Sequence, residues 1–410
     1  MKWNTIFLIV CTMLGIFLIG CWNARELNEL GISLVMGLDE EGDDILLTAE
    51  VVDPSFTQKD GGSVGQGGPV KYVQGTGCNV FEAFRDVVLK FDRRLFVSHN
   101  KVVIIGEDLA KNGVAEHIDE LFRDREQRET AHVLIAKGAK AYEVMGISSG
   151  LESIPANYIS NLIKNIKENP KAMDMNMIEN LKHFYHEGHQ SIMGVIEKRG
   201  IGQIDKMVEE TDIQDYELSI IGSAIFDEGS LVGYLNGNDT KALNFIMDRI
   251  EGGIITFPTP DSALGSKSEF SSKHRELSSV VIINSKTKND VKIKDGNVVL
   301  STKIRLRGSI GEVVGNIDIS KEENLKQMEK ACSKSIEEGI KTAITKVQKQ
   351  FGLDVFGYGL VFHRKYPKKW MGIKENWDQV FSKADFEVEV KTDIIRTGLI
   401  NTPVIRKKER

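Results

Sequence analysis

The sequence predicts an α+β fold of several mixed domains, with a long amphipathic helix packed on an antiparallel sheet in the C-terminal part. Three observations carry this. Short β-branched runs come in pairs around acidic or glycine-containing turns, as in 31–52 and 216–235, which marks hairpins. Near residue 100 such runs alternate with helical periodicity. From Leu325 to Phe351, apolar residues recur at three- and four-residue steps without a break. Composition agrees: 41% hydrophobic and 27% charged residues suffice for sizeable cores. A chain of 410 residues, at about 100–200 per domain, gives two or three domains.

The first element is a leader. Lys2 precedes an apolar run, Ile6 to Ile19, closed by Leu18-Ile19-Gly20-Cys21. A charged start, a short apolar segment and a small residue before the cut read as a secretory signal. The run is shorter than the ~20 residues that span a bilayer. A small residue followed by cysteine is where bacterial lipoprotein processing attaches diacylglycerol. Cys21 is therefore expected as the first mature residue, and two acyl chains at about 0.8 kcal/mol per buried methylene make a stable anchor. The alternative, an uncleaved signal anchor with a plain thiol at Cys21, fits less well because polar sequence follows at once.

Loss of residues 1–20 removes one lysine and no acid, moving the net charge from −6 to −7. That argues against a general nucleic-acid binder, which needs a net basic face. Beyond Cys11 and Cys21 only Cys78 and Cys332 remain. Two cysteines make no disulfide framework, and unlinked thiols are expected.

Trp22 to Leu30 suggests a short helix. Gly31–Leu38 and Ile45–Val52 read as a hairpin about the turn 39–44, and 61–68 as a glycine-rich loop before a strand at Val70–Val73. A helix is expected from Asn79 to Phe91, its apolar face made by Phe81, Phe84, Val88 and Phe91. Lys101–Gly106 reads as a buried strand, Glu107–Arg128 as one charged helix, and Ala131–Ala136 as a further strand. A helical region from Pro155 to His186 follows, and 192–215 reads as a boundary. The expected organisation is a leader at 1–20, a discontinuous N-terminal domain at 21–69 and 151–205, a small α/β domain at 70–150, and a C-terminal domain at 216–400.

In that last part Asp227-Glu228-Gly229-Ser230 marks a hairpin turn, and Asn238–Ile250 a helix buried through Leu243, Ile246 and Ile250. Residues 257–276 read as a polar surface excursion. Strands at 280–283, 291–293 and 298–306 are expected, joined by Asn289-Asp290 and Asp295-Gly296-Asn297. Ser320-x-x-Glu323 has the form of a capping box, and Gly352 is the expected stop. About 31 residues give a helix of roughly 46 Å, with Cys332 on its core side.

Few motifs point to chemistry. His183 and His186 share a helix face, a geometry that suits a metal. But Gly188 ends the helix before His189, and a solvated helix end is expected. Gly146-Ile147-Ser148-Ser149-Gly150 matches G-x-S-x-G but lacks the preceding strand of a nucleophile elbow. The loop 61–68 lacks the lysine and helix of a phosphate cradle. Arg123 to Glu129 alternates in sign, as an exposed ion-paired helix end does. The sharpest anomaly is His363-Arg364-Lys365-Tyr366-Pro367-Lys368-Lys369-Trp370. Basic and aromatic residues interleaved this way suit single-stranded nucleic acid or an anionic membrane surface. Outside the cytoplasm the second use fits. Arg364, Lys365, Tyr366, Lys368, Lys369 and Trp370 are the candidate contact residues, set against a structural loop whose rings pack and whose lysines face water. No metal or cofactor site is expected.

These residues carry a resemblance. Gly20-Cys21-Trp22, Arg25-Glu26-Leu27, Ser98-His99-Asn100-Lys101, Ile105-Gly106, Arg123-Asp124 and Ala136-Lys137-Gly138-Ala139 occur in order. Phe356-Gly357-Tyr358-Gly359, Tyr366-Pro367-Lys368-Lys369-Trp370 and Trp377 follow. The ordered set resembles the Ger(x)C family, the lipoprotein C subunits of spore germinant receptors. Asn23 departs from the aspartate usual in the family. The resemblance implies three mixed α/β domains and no enzymatic activity. It also implies a site on the outer face of the spore inner membrane, beside a larger A subunit and a transporter-like B subunit. Cys21 is the functional residue that carries over. A different class, a solute-binding lipoprotein of an importer, requires two lobes about a ligand pocket, which the strand-rich C-terminal half fits poorly.

Overall fold

The computed structural model describes residues 3–7, 29–52, 68–123, 126–148, 151–200, 216–260, 277–314 and 317–396. Cys21, the segment 22–28, the loop 61–67 and the C-terminal basic residues 406–408 lie outside the described residues.

Among them, nine strands form one sheet: β1 (Leu30–Glu41), β2 (Asp44–Val52), β3 (Val70–Gly77), β4 (Arg94–Phe96), β5 (Val102–Gly106), β6 (His132–Ala136), β7 (Ile192–Gly200), β8 (Tyr216–Asp227) and β9 (Ser230–Leu235). The order is β3-β2-β1-β5-β6-β7-β8-β9, with β4 beside β1. The centre, β1-β5-β6-β7, is parallel, and both flanks are antiparallel. The sheet runs through the expected boundaries at 69/70 and 150/151. It also takes in β8 and β9, from the span assigned to the C-terminal domain.

Side chains alternate along a strand, so the central strands feed two cores. Val103 and Ile105 enter one, under α1 (Val80–Val88), α2 (Glu107–Asn112), α3 (Ala115–Arg123) and α6 (Met177–Tyr185). Val102 and Ile104 enter the other, under α4 (Ala141–Met145) and α5 (Pro155–Asn165). Burial on both faces explains why these strands are continuous apolar runs.

Three expectations for this half are corrected. Helix α1 buries Val80, Ala83 and Val87, while Phe81 and Val88 are exposed. A Cβ on Gly75 would lie 2.2 Å from the Ala83 carbonyl, and one on Gly77 2.6 Å from its nitrogen. The helix lies so close to β3 that only its small face fits there. The charged helix at 107–128 is two helices, broken where Gly113 takes φ +126° and Val114 N donates to Gly229 O at 2.8 Å. The boundary read from residue 192 onward begins with an inner strand, since Ile192–Ile196 is buried between β6 and β8.

A second sheet holds β10 (Ile254–Pro258), β11 (Leu277–Lys294), β12 (Asn297–Val313) and β13 (Asp385–Arg396), in that order. The first three are antiparallel, and β13 runs parallel to β12. A parallel neighbour needs a crossover, and the long helix α8 (Glu322–Gln350) begins it. Its 29 residues, about 43 Å, bury Met328, Cys332, Ile336, Ile340, Ile344 and Val347. Gly352 ends it at φ +70°. Helix α7 (Gly237–Ile246) packs beside it, capped by Asn236. The helix also covers the free edge of β13. Glu329, Ser333 and Glu337 accept from the backbone N–H of Ile394, Thr392 and Val390 at 2.8, 3.0 and 3.0 Å. Four helical residues rise about 6 Å and two strand residues about 6.6 Å, so the two ladders stay in step.

The capping box does not form. The Ser320 hydroxyl donates to Asp318 Oδ1 at 2.6 Å instead of accepting from the helix. Nor does Asn289-Asp290 turn. Asn289 donates to Ile246 O and accepts from Thr302 Oγ1, which hold it in a continuous β11. The turn falls at Asp295 and Gly296, with φ +49° and +81°.

Candidate partner-contact segment

The segment 354–378 builds the joint between the two sheets. Its anchor is Asp354, wholly buried and not singled out in the sequence. Oδ1 accepts from the N–H of Phe356 and Gly357 at 3.1 and 3.0 Å, and Oδ2 from Gly359 N and Trp377 Nε1 at 2.7 and 2.9 Å. A carboxylate has about four acceptor sites, and all four are used. Burial pushes the acid up to about 6, against the pull of these donors. Gly357 takes φ +82°, which lets the chain turn back under the carboxylate and start α9 (Tyr358–Lys365).

Opposite lies the loop Glu187-Gly188-His189. A Cβ on Gly359 would sit 2.3 Å from Gly188 O, so two backbones meet here with no side chain between them. Gln190 N donates to Asp354 O at 3.0 Å, and its amide to Asp378 Oδ2 at 3.2 Å. His189 Nε2 is 3.1 Å from Val355 O. A carbonyl only accepts, so that nitrogen carries the proton.

The expected solvated helix end holds for His186, which is exposed, but is corrected for the other two rings. His189 is buried, and His183 is half-buried with its ring centroid 4.0 Å from that of His189. Burial depresses His183 to about 4 and His189 to about 3. Both are therefore neutral near pH 7, since burial disfavours the charged form. Among the described residues no cluster of three or more metal-ligating side chains occurs.

Trp370 is corrected as a contact residue. It ends the short helix α10 (Pro367–Trp370) and is 0% exposed. It packs against Phe362 and Trp377, stacks on His363, and aims Nε1 at Glu187 Oε2, 3.4 Å away. Tyr366 is half-buried, tilted on Phe362, with the Lys365 and Lys369 ammonium groups 5.6 and 5.8 Å from its ring centroid. The rings hold the segment down and the cations face water. Arg364, Lys365, Lys368 and Lys369 are all exposed. Lys365 pairs with Asp290 of β11, and that hydrogen bond raises the ammonium pKa and lowers the acid's.

The remaining motifs are built into the fold. Ser148 donates to Glu152 O at 2.7 Å, after a helix rather than a strand. Cys78 is exposed, Cys332 is buried, and both are free. Among the described residues no helix is long and apolar enough to cross a membrane.

Comparison with known proteins bears on this arrangement. The family described as the spore germination protein N-terminal domain matches residues 23–198. The family described as spore germination B3/GerAC-like, C-terminal, matches 221–398. The chain is 28% identical to spore germination protein KC of Bacillus subtilis (strain 168), over 97% of each chain. It is 25% identical to spore germination protein B3 of the same organism, over 98% of this chain and 100% of the other. The fold is similar to the crystal structure of the GerBC protein, with TM-score 0.55 and 21% identity over 88% of this chain and 96% of that one. With both family domains present in order, and a fold neighbour spanning both, the chain belongs to the Ger(x)C family of spore germination proteins.

Proposed function

We propose that this protein is the lipoprotein C subunit of a nutrient germinant receptor. Diacylglycerol on Cys21 holds it on the outer face of the spore inner membrane. It works by contact with a membrane-embedded A subunit and a transporter-like B subunit, and it carries out no catalytic step. The observation that carries this reading is the tiling of the two family domains over 23–198 and 221–398. The first begins two residues past Cys21. Arg364, Lys365, Lys368 and Lys369, fixed by buried rings beneath them, are the proposed contact residues for the membrane or the partner subunits.

Co-purification tests the reading. From detergent-solubilised spore membranes the tagged chain should bring down the two integral subunits together. Recovery of the chain alone, from membranes in which both other subunits are detected, would defeat it.

A further inference from the structure

Among the described residues, the β10–β13 sheet is covered on one face only. Helices α7, α8 and α9 lie on the face where Val280, Ile282, Leu300, Ile304 and Leu306 are buried. On the other face the register sets cations in rows. Lys286 is opposite Arg305, which is opposite Lys391, and Lys288 is opposite Lys303. Arg307 lies two residues along β12 on the same face, and all six are exposed. Like charges directly opposite one another repel, so the rows weaken the bare sheet. Carboxylates answer some of them: Glu389 pairs with Lys303, Asp393 with Lys391 and Asp248 with Lys286. Among the described residues, Lys288, Arg305 and Arg307 have no carboxylate within ion-pair distance.

At the next step along the strands the open face becomes aliphatic. Ile254 lies opposite Val281, with Ile283 and Ile395 on the same face, and their exposures run from 39% to 54%. Asp290, opposite Ser301, brings Lys365 to the far end of the same sheet.

We propose that this open face is a contact surface for an anionic phospholipid bilayer. Its branched aliphatic end enters the boundary between headgroups and acyl chains. Its cation rows lie over the phosphates. The sequence of layers, aliphatic then cationic, is that of a bilayer interface, and the cations are complementary to anionic headgroups. The inference rests on the reading above for what keeps the chain at the membrane, but it is tested separately.

The full chain is mixed with vesicles of phosphatidylglycerol and phosphatidylcholine, or of phosphatidylcholine alone, and lysine acylation is mapped by mass spectrometry. Lys286, Lys288, Lys303 and Lys391 are expected to lose reactivity several-fold on the anionic vesicles only. Lys330, Lys334 and Lys341, exposed on α8, should stay reactive on both. The triple variant Lys286→Gln, Arg305→Gln, Lys391→Gln should bind anionic vesicles about 100-fold more weakly, at roughly fivefold per cation. Equal reactivity on both vesicle types overturns the proposal. So does protection that appears only when receptor subunits are added, which assigns the face to protein. A chain that fails to float with phosphatidylcholine vesicles counts against the N-terminal tether alone, since reactivity on the anionic vesicles is still read.

Discussion

Trp377 donates its indole N–H to the carboxylate of Asp354 at 2.9 Å, inside a joint with no charged partner for that acid among its four contacts. The bond ties α11 (Trp377–Lys383) to the turn that starts α9. Both sheets meet at that turn, so its integrity sets how firmly they are held together.

Asp354→Ala leaves four donors without their acceptor, three of them backbone. At about 1–3 kcal/mol for each buried group left unmatched, with partial relaxation, the expected loss is about 4 kcal/mol, read from urea unfolding. Asp354→Asn tests the charge. The folded acid titrates near 6 and the unfolded one near 3.8, so the folded state binds the proton more tightly between those values. Wild-type stability should therefore fall as pH rises from about 4 to about 6, and the asparagine variant should lose that slope.

The His183–His189 contact has the opposite sign. Folded values near 4 and 3 lie below the ordinary 6.5, so the unfolded chain takes up protons first on acidification. Stability contributed by the neutral rings is complete above about pH 6.5 and is lost as pH falls toward 4. His183→Leu should flatten this part of the profile in thermal unfolding followed from pH 4 to 7. An unchanged slope would show that the contact does not hold in solution.

Gly188→Ala should cost about 2–4 kcal/mol. The position needs φ +80°, and its Cβ would lie 2.4 Å from the Trp370 ring. Backbone strain and overpacking both apply. Gly146→Ala, where no atom of the described residues lies within 4 Å of the added carbon and φ is negative, is the matched control and should be near neutral.

Cys21→Ala should move the protein from the membrane to the soluble fraction on fractionation and impair germination with nutrients. Retention in the membrane would remove lipid as the anchor.

Glutamine at Arg364, Lys365, Lys368 and Lys369 together should weaken binding to anionic vesicles or to the partner subunits, at about fivefold per cation near a bilayer. Unfolding should change little, because these side chains face water. Unaltered binding to both would reduce the segment to a structural loop.

How much was legible follows from the range of each signal. The hairpins at 39–44 and 227–230 were readable, since glycine with acidic neighbours supplies positive φ locally, as at Gly42, Glu228 and Gly229. The long helix was readable because its stripe repeats over 29 residues. The face of α1 was not: Ala83 is chosen by Gly75 and Gly77 on another strand, and a ring count favours the wrong side. The inner strand at 192–200 was missed because three of its last four residues are charged, although its first five are buried.

By itself the sequence determined the fold class, the apolar stripe of α8 and the family, because these depend on residue type and near-neighbour spacing. Only the tertiary structure decided that Asp354, the loop 187–189 and Trp370 meet, and that Lys286, Arg305 and Lys391 stand in one row. Trp370 and Glu187 are 183 positions apart, and Lys391 lies 86 positions beyond Arg305. Such relations are set by strand register and backbone contact, which no local pattern encodes.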